Sequence, residues 1–585
     1  MRAIPVYTRY LHRTPIVHLA SRCYCVAYNH VFTLQDQRRK QKFDITIPMR
    51  PEQRNAEWTN PTDVETIDQA WWTVQRNSIV APCRDVIDFA DYESRDKYIR
   101  SEVQTQLRNV DKATMEVEFW KAPRSNGVCR LVSLPDVITR VTLQSLGLSL
   151  SQVLNTKLSD AVISRPSPLR STAFVDGWYS QWTQYFARIL RIKRGFRYLI
   201  VSDFANFFDS INPSYLWRTL QEAGAQNSHA RAACQLLKRC TYAKPGLEVF
   251  GLPQLYDDTA LLLGNFYLRD FDAEVCSRWG TERYTRWLDD VVLGAQTESE
   301  AWKLIAHLSA TARDSGLNLS SHKTKIIPSE DLDRDYLFLN EHRRLDALEI
   351  EIALKQDYKS SVRAEKAFAA ILHRIRNRLG SGLGEILLRR TYRLGSFLGS
   401  SALLPFVATD LAIHPNSSSA ISQYVASVSR DKQIALIVAH YLEQPSNVYQ
   451  TVEVGLLLSL LHRPWTAEAR KQVGKLATAI LKGYLPVISD TSSGIAGLLL
   501  HRCVGPAEAA RTLLPLKASL MATPSPHAQR FALTALCGAL PFAKVKKVLN
   551  VKTLMHNNYL YSLYRYLESR DFDLEGLIHM DTKKG

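Results

Sequence analysis

Long apolar runs are missing from this chain. The best stretch, Val454–Leu461, is too short for the roughly 18 residues that a membrane-spanning helix needs, so no membrane span is expected. Cysteine is scarce as well, with nine in 585 residues and no Cys-x-x-Cys pair. Cys23 and Cys25 sit two apart, but no second Cys/His pair follows at finger spacing, which argues against a zinc module or a disulfide scaffold. Reduced thiols in a cytoplasm are the expectation. Acid is the third shortage: 57 Asp and Glu face 74 Lys and Arg, a net charge of +17. A soluble chain that basic is expected to meet a polyanion, nucleic acid first, although charge alone does not separate DNA, RNA and an anionic membrane surface. The first 35 residues hold no acid and carry Arg2, Arg9, Arg13 and Arg22. Pro5 and Pro15 interrupt the amphipathic helix of a transit peptide, so a basic arm or a strand-rich extension is expected there. Apolar content of 46% and charged content of 22% are ordinary and exclude a wholly disordered or collagen-like chain.

The length allows about three or four domains. Residues 1–100 read as a basic N-terminal extension without an assignable motif. Residues 101–350 alternate helix and strand, the character of an α+β domain. A helical pattern over Asp88–Val117 leads into a short strand, a turn at Arg124–Gly127 and a strand at Cys129–Ser133. Arg140–Leu158 and Gly177–Ile192 have helical spacing, Tyr198–Asp203 reads as a buried strand, and Glu282–Leu293 as two strands around a tight turn. Residues 351–585 are Leu- and Ala-rich and all-α in pattern, broken at His414–Ser419, Gln444–Asn447, Ser489–Gly494 and Thr523–His527. Helix pairs at a spacing of roughly 35–45 residues suggest a HEAT-like repeat, with a simple bundle as the equal alternative.

The chemistry concentrates in two acidic segments 86 residues apart, counted from Asp203 to Asp289. In the first, Leu199-Ile200-Val201-Ser202-Asp203-Phe204, an apolar strand ends on an acid. In the second, Tyr284-Thr285-Arg286-Trp287-Leu288-Asp289-Asp290-Val291-Val292-Leu293, two acids occupy a turn. Taken alone, Asp289 and Asp290 read as hairpin-turn residues. Carboxylates brought together at strand ends would instead suit two Mg²⁺ ions, which stabilise the attacking and leaving oxygens of a phosphoryl transfer.

The order of further motifs decides between these. The two segments resemble the palm motifs of reverse transcriptases. Upstream, Lys121-Ala122-Pro123-Arg124-Ser125-Asn126-Gly127-Val128-Cys129-Arg130 resembles the fingers motif of the bacterial enzymes. Gly251-Leu252-Pro253-Gln254 matches the family's G-x-P-Q, with Gly264-Asn265-Phe266-Tyr267 as its helical tail. Gly316–Thr324 resembles the motif that carries a lysine, and Tyr336–Asn340 the primer grip. The likeness covers about residues 115–345. It implies two Mg²⁺ ions, with Mn²⁺ as a substitute, held by Asp203 and Asp289 with Asp290 and the Phe204 carbonyl in support. It implies a triphosphate clamp of Arg130 with Lys121 or Arg124, and Gln254 beside the incoming nucleotide. Phe208 falls at the steric-gate position that selects dNTPs, and Lys323 at that of a proton donor to pyrophosphate.

The departures from the family pattern are specific. Trp287 stands where Tyr is usual, Asn340 replaces Gly, and Leu255 with Asp257-Asp258-Thr259-Ala260 replaces the segment that meets the template, which implies altered template handling. A palm joined to a long helical half resembles the abortive-infection and defence-associated reverse transcriptases of bacteria. That likeness implies a cytoplasmic antiphage DNA polymerase, with a DNA product, an RNA template or partner RNA, and a homo-oligomer or partner protein. A conventional retron- or intron-type enzyme and a non-catalytic nucleic-acid-binding scaffold are the alternatives. Two further expectations concern the C-terminal half. Arg363–Arg393 holds eight Lys/Arg and two acids in the place of a thumb, so Arg374, Arg376, Arg378, Arg389 and Arg390 are candidate phosphate contacts. Tyr559, Tyr561, Tyr564 and Tyr566 are candidate priming hydroxyls, against the plain reading that they pack the last helix.

Overall fold

The structure is a computed structural model. It describes residues 60–570 except 81–83, 94, 114, 125–126, 166–173, 244–245, 247, 256–257, 355–357, 377–383, 429–432, 462–464 and 549–557. Most of the basic N-terminal extension, residues 1–59, therefore lies outside the described residues.

A hairpin of β1 (Val117–Pro123) and β2 (Cys129–Pro135) stands apart from a second, four-stranded sheet. That sheet contains β3 (Tyr198–Asp203), β4 (Tyr284–Trp287), β5 (Asp290–Ala295) and β6 (Lys325–Pro328) in the order β4-β5-β3-β6, antiparallel throughout. Strand alternation sorts the side chains of β3 between two cores. Ile200 joins Phe204, Leu143 and Leu263 on one face, while Leu199 and Val201 join Ile189, Trp287 and Leu337 on the other. The first core is closed by the helices Val137–Leu154, Asn227–Cys240 and Asp258–Tyr267, the second by the helix Phe174–Gly195. Asp136 fixes the start of Val137–Leu154 by accepting from the Thr139 N–H at 3.0 Å.

The helical pattern read over Asp88–Val117 is shorter in the structure. Asp88 and Phe89 adopt left-handed φ values of 51° and 57°, which no helix can include, so the helix is confined to Asp96–Arg108.

From Leu339 to Ser569 the described chain is helical. Gly384–Leu398 packs on Ser418–Ser427, which packs on Gln450–Leu461, then on Asp490–Val504 and Pro526–Ala539. Alternate helices thus stack in a row, and their starts (384, 418, 450, 490, 526) lie 32–40 residues apart. This is the arrangement of a helical repeat rather than a closed bundle. The row grips the hairpin of the first half. The Gln450 side chain accepts from the Lys121 N–H at 3.0 Å, and the Tyr449 hydroxyl donates to the Arg124 carbonyl at 3.0 Å. Ser525 donates to Glu118 at 2.6 Å, and the His527 ring meets Trp120 edge-on at 5.1 Å. Behind them Arg530, wholly enclosed, binds Asp85 and Asp91 of the preceding segment.

Candidate active site

The sheet register places Asp203, the last residue of β3, opposite Asp290, the first of β5. Asp289 sits in the turn before it, and its carbonyl accepts from the Phe204 N–H at 3.3 Å. Three carboxylates from two distant segments therefore meet where the two central strands of the sheet end. The loop after the helix Glu298–Asp314 buttresses them: Ser320 N–H donates to the Asp203 carbonyl and Ala205 N–H to that of Asn318, both at 2.7 Å. From the same loop Lys323 extends its Nζ to 2.5 Å from Asp203 Oδ2.

The charges are unbalanced. Burial first, then the neighbouring Asp203, pushes the Asp289 carboxyl up to about 6. Burial, then Asp289 and Asp203, pushes Asp290 up to about 8. Asp289 and Asp290 are so close that they titrate as a pair. Burial opposes the Lys323 ammonium, but the hydrogen bond and charge of Asp203, with Asp289 and Asp290 behind it, outweigh that and raise its pKa. Among the described residues no three His, Cys, Asp or Glu side chains form a ready-made metal cage. The donor set fits hard divalent cations nonetheless. It offers only oxygen ligands, from crowded carboxylates, and magnesium is usually held by one or two carboxylates together with substrate phosphates.

The fingers hairpin brings cations to the same place. Arg130 Nη1 donates to Gln254 Oε1 at 3.4 Å, and its charge acts on Asp289. Arg124 donates to Asn206 Oδ1 at 2.6 Å and pairs with Asp209 at 3.5 Å. Lys121 is exposed, with its backbone bound to Gln450 and Thr451 of the helical half. The Gly-x-Pro-Gln segment ties hairpin to palm. Gln254 carbonyl accepts from Ser133 N–H at 3.0 Å, and Leu252 N–H donates to the Phe208 carbonyl at 2.8 Å. Gly251 is required there: its φ is +86°, and a Cβ would stand 2.8 Å from the Phe208 carbonyl. Phe208 is half-buried, edge-on to Phe207 at 5.2 Å, and it rests over Gly264.

Several departures find a physical reason. Trp287 stands directly cross-strand from Asp290, on the face of the acids, and packs edge-on against Trp182 at 5.3 Å and beside Tyr185 at 5.7 Å. Asp258 does not face a template. It is buried, and its carboxylate accepts from Gln144 Nε2 at 3.0 Å, while Thr259 donates to the Leu143 carbonyl at 2.6 Å. Tyr336–Phe338 form a turn between the short helix Leu332–Asp335 and the helix Leu339–Leu354, which Leu339 and Asn340 open, with Tyr336, Leu337 and Leu339 packed behind Trp287.

Sequence reading missed one residue of the site, Arg286. It is fully buried under the hairpin, forked onto Asp272 at 2.8 and 2.6 Å. It also donates to Asn265 Oδ1 at 2.9 Å and to the Leu288 carbonyl at 2.6 Å, in the turn before the acids. Leu288 itself has φ 50°. The signal was present: a charged residue inside a strand with apolar neighbours demands a buried partner.

Two expectations are corrected. Arg390 is no phosphate contact, because it is buried and bound to Asp346 at 2.5 Å and Glu349 at 2.7 Å. Arg389 is half-buried, and burial lowers its pKa. The side chains of Arg374 and Arg376, and all of Arg378, lie outside the described residues. The tyrosines of the helix Asn558–Ser569 are packing residues. Tyr559 stacks on Arg530 at 4.6 Å, and Tyr564 is buried with its hydroxyl donating to the Phe542 carbonyl at 3.3 Å. Tyr566 lies under Arg570 at 4.8 Å, and Tyr561 packs on the helical core.

Residues 121–337 match the family model described as reverse transcriptase (RNA-dependent DNA polymerase). No curated protein matches the chain. Among solved structures it is similar to apo telomerase from Candida tropicalis, at 12% identity over 81% of this chain and 74% of that one, with a TM-score of 0.26. The telomerase of the same organism in complex with a TWJ fragment of telomeric RNA gives 12% identity over 69% and 68%, with a TM-score of 0.25. These scores are too low to transfer anything from telomerase to this chain.

Proposed function

With a reverse-transcriptase domain at residues 121–337 as the premise, we propose that this chain is a divalent-metal-dependent DNA polymerase adding dNTPs to a primer, RNA or protein hydroxyl. The observation that carries the reading is the meeting of Asp203, Asp289 and Asp290 at the ends of the two central strands, with Lys323 on Asp203 and the charge of Arg130 on Asp289. Asp203 and Asp289 would hold Mg²⁺ or Mn²⁺, with Asp290 and the Phe204 carbonyl in support. Bound there, the ions supply the positive charge that activates a hydroxyl and offsets the departing pyrophosphate.

The remaining work falls to the chain. Arg130 and Arg124 bind the triphosphate from the fingers side, and Gln254, pinned to β2, orients the nucleotide between them and the palm. Phe208 is fixed by Gly264 below and excludes a ribose 2′-hydroxyl. Lys323 stays protonated beside Asp203 and can give its proton to pyrophosphate, a contribution on the order of 10²–10⁴-fold. Because Asp258 points into the core, template handling rests on other groups than in the usual pattern.

The joining of this domain to a helical repeat that grips the fingers supports a role in bacterial antiphage defence, in the cytoplasm. It also leaves room for a partner RNA, a second copy or a partner protein. Incubation of the purified protein with each labelled dNTP and Mg²⁺, with and without RNase pretreatment, tests the reading. Incorporation that depends on the metal is expected, and its loss after RNase would identify a copied or priming RNA. No incorporation under any condition would leave a nucleic-acid-binding scaffold.

A further inference from the structure

The helix Ala467–Leu481 lies against Asp490–Val504, and the two approach closely where Gly474 meets Cys503: a Cβ on Gly474 would stand 3.3 Å from that of Cys503. Beside this contact runs a groove of about 530 Å³. Arg470, Lys471, Lys475 and Lys482 line it, all exposed, and no carboxylate does so among the described residues. Lys471, Lys475 and Lys482 fall at positions i, i+4 and i+11, one stripe of a helix.

Some exposed cations elsewhere on the helices are matched by acids, as Arg218 is by Glu222, Arg334 by Asp331 and Asp335, and Arg565 by Glu568. The four groove cations make no ion pair among the described residues. At the end of the groove stands Tyr484, 77% exposed. Its backbone is fixed by the helix terminus: Gly483 has φ +72°, and the N–H groups of Tyr484 and Leu485 both donate to the Ala479 carbonyl, at 2.8 and 3.2 Å. An aromatic ring held out in water by an ordered turn, beside four unmatched cations, is a stacking platform next to a phosphate track.

We propose that this groove binds single-stranded nucleic acid without sequence preference. Phosphates would lie along Lys471, Lys475 and Lys482 with Arg470 beside them, and an unstacked base would cover Tyr484. A duplex keeps its bases stacked inside and would leave the ring bare. The site belongs to the helical repeat, so it would hold a strand away from the place of synthesis, and it does not depend on polymerase activity.

The test uses the full chain and fluorescent 20-mers of oligo-dT and oligo-U, with affinity read by anisotropy across a salt series. Lys471→Ala/Lys475→Ala/Lys482→Ala should reduce the slope of log affinity against log salt by about two, at roughly 0.7 per lost contact on a single strand. Tyr484→Ala should weaken binding about tenfold and Tyr484→Phe should not, because stacking needs the ring and not the hydroxyl. Comparing the two oligomers tells a DNA product from an RNA. A triple variant with the wild-type slope overturns the proposal. Photocrosslinking of an iodouracil-substituted oligomer to the unaltered protein gives a check free of any folding defect. A crosslink on Tyr484 supports the site, and crosslinks confined to residues 121–337 overturn it.

Discussion

Two sets of enclosed acids in this molecule are treated in opposite ways. Where the N-terminal segment packs on the helical half, Asp85 and Asp91 surround Arg530, with the N–H groups of Ile87 and Phe89 both donating to Asp85 at 3.1 Å. Burial alone would push Asp85 up, but Arg530 and these donors hold it below the usual carboxylate range. Glu453, also buried, accepts from Ser492, Asn447 and the N–H groups of Ile488 and Ser489, although burial still outweighs these donors and raises its pKa. At the palm edge Asp203, Asp289 and Asp290 crowd one another, and burial and mutual repulsion drive Asp289 and Asp290 upward with one lysine in contact. Acids that hold a fold together are given their donors within the fold. Acids that must receive a cation and a phosphate are left short of them, at a cost in stability.

The comparison breaks most visibly in a pair of substitutions. Asp289→Ala should reduce dNTP incorporation to background while the melting temperature stays level or rises, since one repelling charge is gone. Arg530→Met should do the reverse in kind: it leaves Asp85 and Asp91 enclosed without their partner, a loss of about 3–5 kcal/mol. Thermal melts and a single-nucleotide incorporation assay on both variants check this. An Asp289→Ala protein that melts far below wild type would mean that these acids are structural after all.

A pH series sharpens the same contrast. The folded-state pKa values of Asp289 and Asp290, about 6 and about 8, lie above the unfolded carboxylate value, so the metal-free fold holds extra protons between roughly pH 4 and 8. Its stability should therefore fall as pH rises through that window. Mg²⁺ competes with those protons, so added Mg²⁺ should raise the melting temperature more at pH 8 than at pH 5.5. Asp290→Asn should flatten the metal-free dependence. Asp85 has the opposite sign: its depressed pKa contributes stability at neutral pH that disappears only on acidification.

Arg286→Lys is a smaller perturbation of the palm. Lysine keeps a charge near Asp272 but cannot fork onto it while also reaching Asn265 and the Leu288 carbonyl. Incorporation should fall about tenfold in kcat with KM for dNTP little changed, because the turn that presents Asp289 loosens. An equal loss in both constants would assign Arg286 to nucleotide binding instead.

Much of the palm was legible because its signals are local. An apolar strand ending on Asp203, two acids in a turn, and Gly251 before Pro-Gln each carry their reason in a few residues. Pairing them required only antiparallel registers. The helical half was legible as helices but not in its contacts. Nothing local says that Glu118 meets Ser525, 407 residues on, or that Arg530 waits for Asp85. The same blindness misassigned Arg390: from spacing it was one more cation in a basic run, while Asp346 and Glu349 claim it from a neighbouring helix.

The smallest effect expected is from removing the four C-terminal hydroxyls, Tyr559→Phe, Tyr561→Phe, Tyr564→Phe and Tyr566→Phe together. Their rings do the packing, against Phe89, Arg530, Phe542 and Arg570. Phenylalanine keeps those contacts and gives up only bonds such as that of Tyr564 to the Phe542 carbonyl, worth about 1 kcal/mol. Burial also raises the pKa of Tyr559, Tyr566 and Tyr564, the last to about 12, which makes each a poorer nucleophile than a free phenol. Incorporation by the quadruple variant should match wild type, and any product that migrates with the protein after boiling in detergent should remain attached. If such a product exists and is lost from this variant alone, the last helix must leave its packing to prime, and the tyrosines would join the palm acids as groups whose surroundings in this fold are not those in which they act.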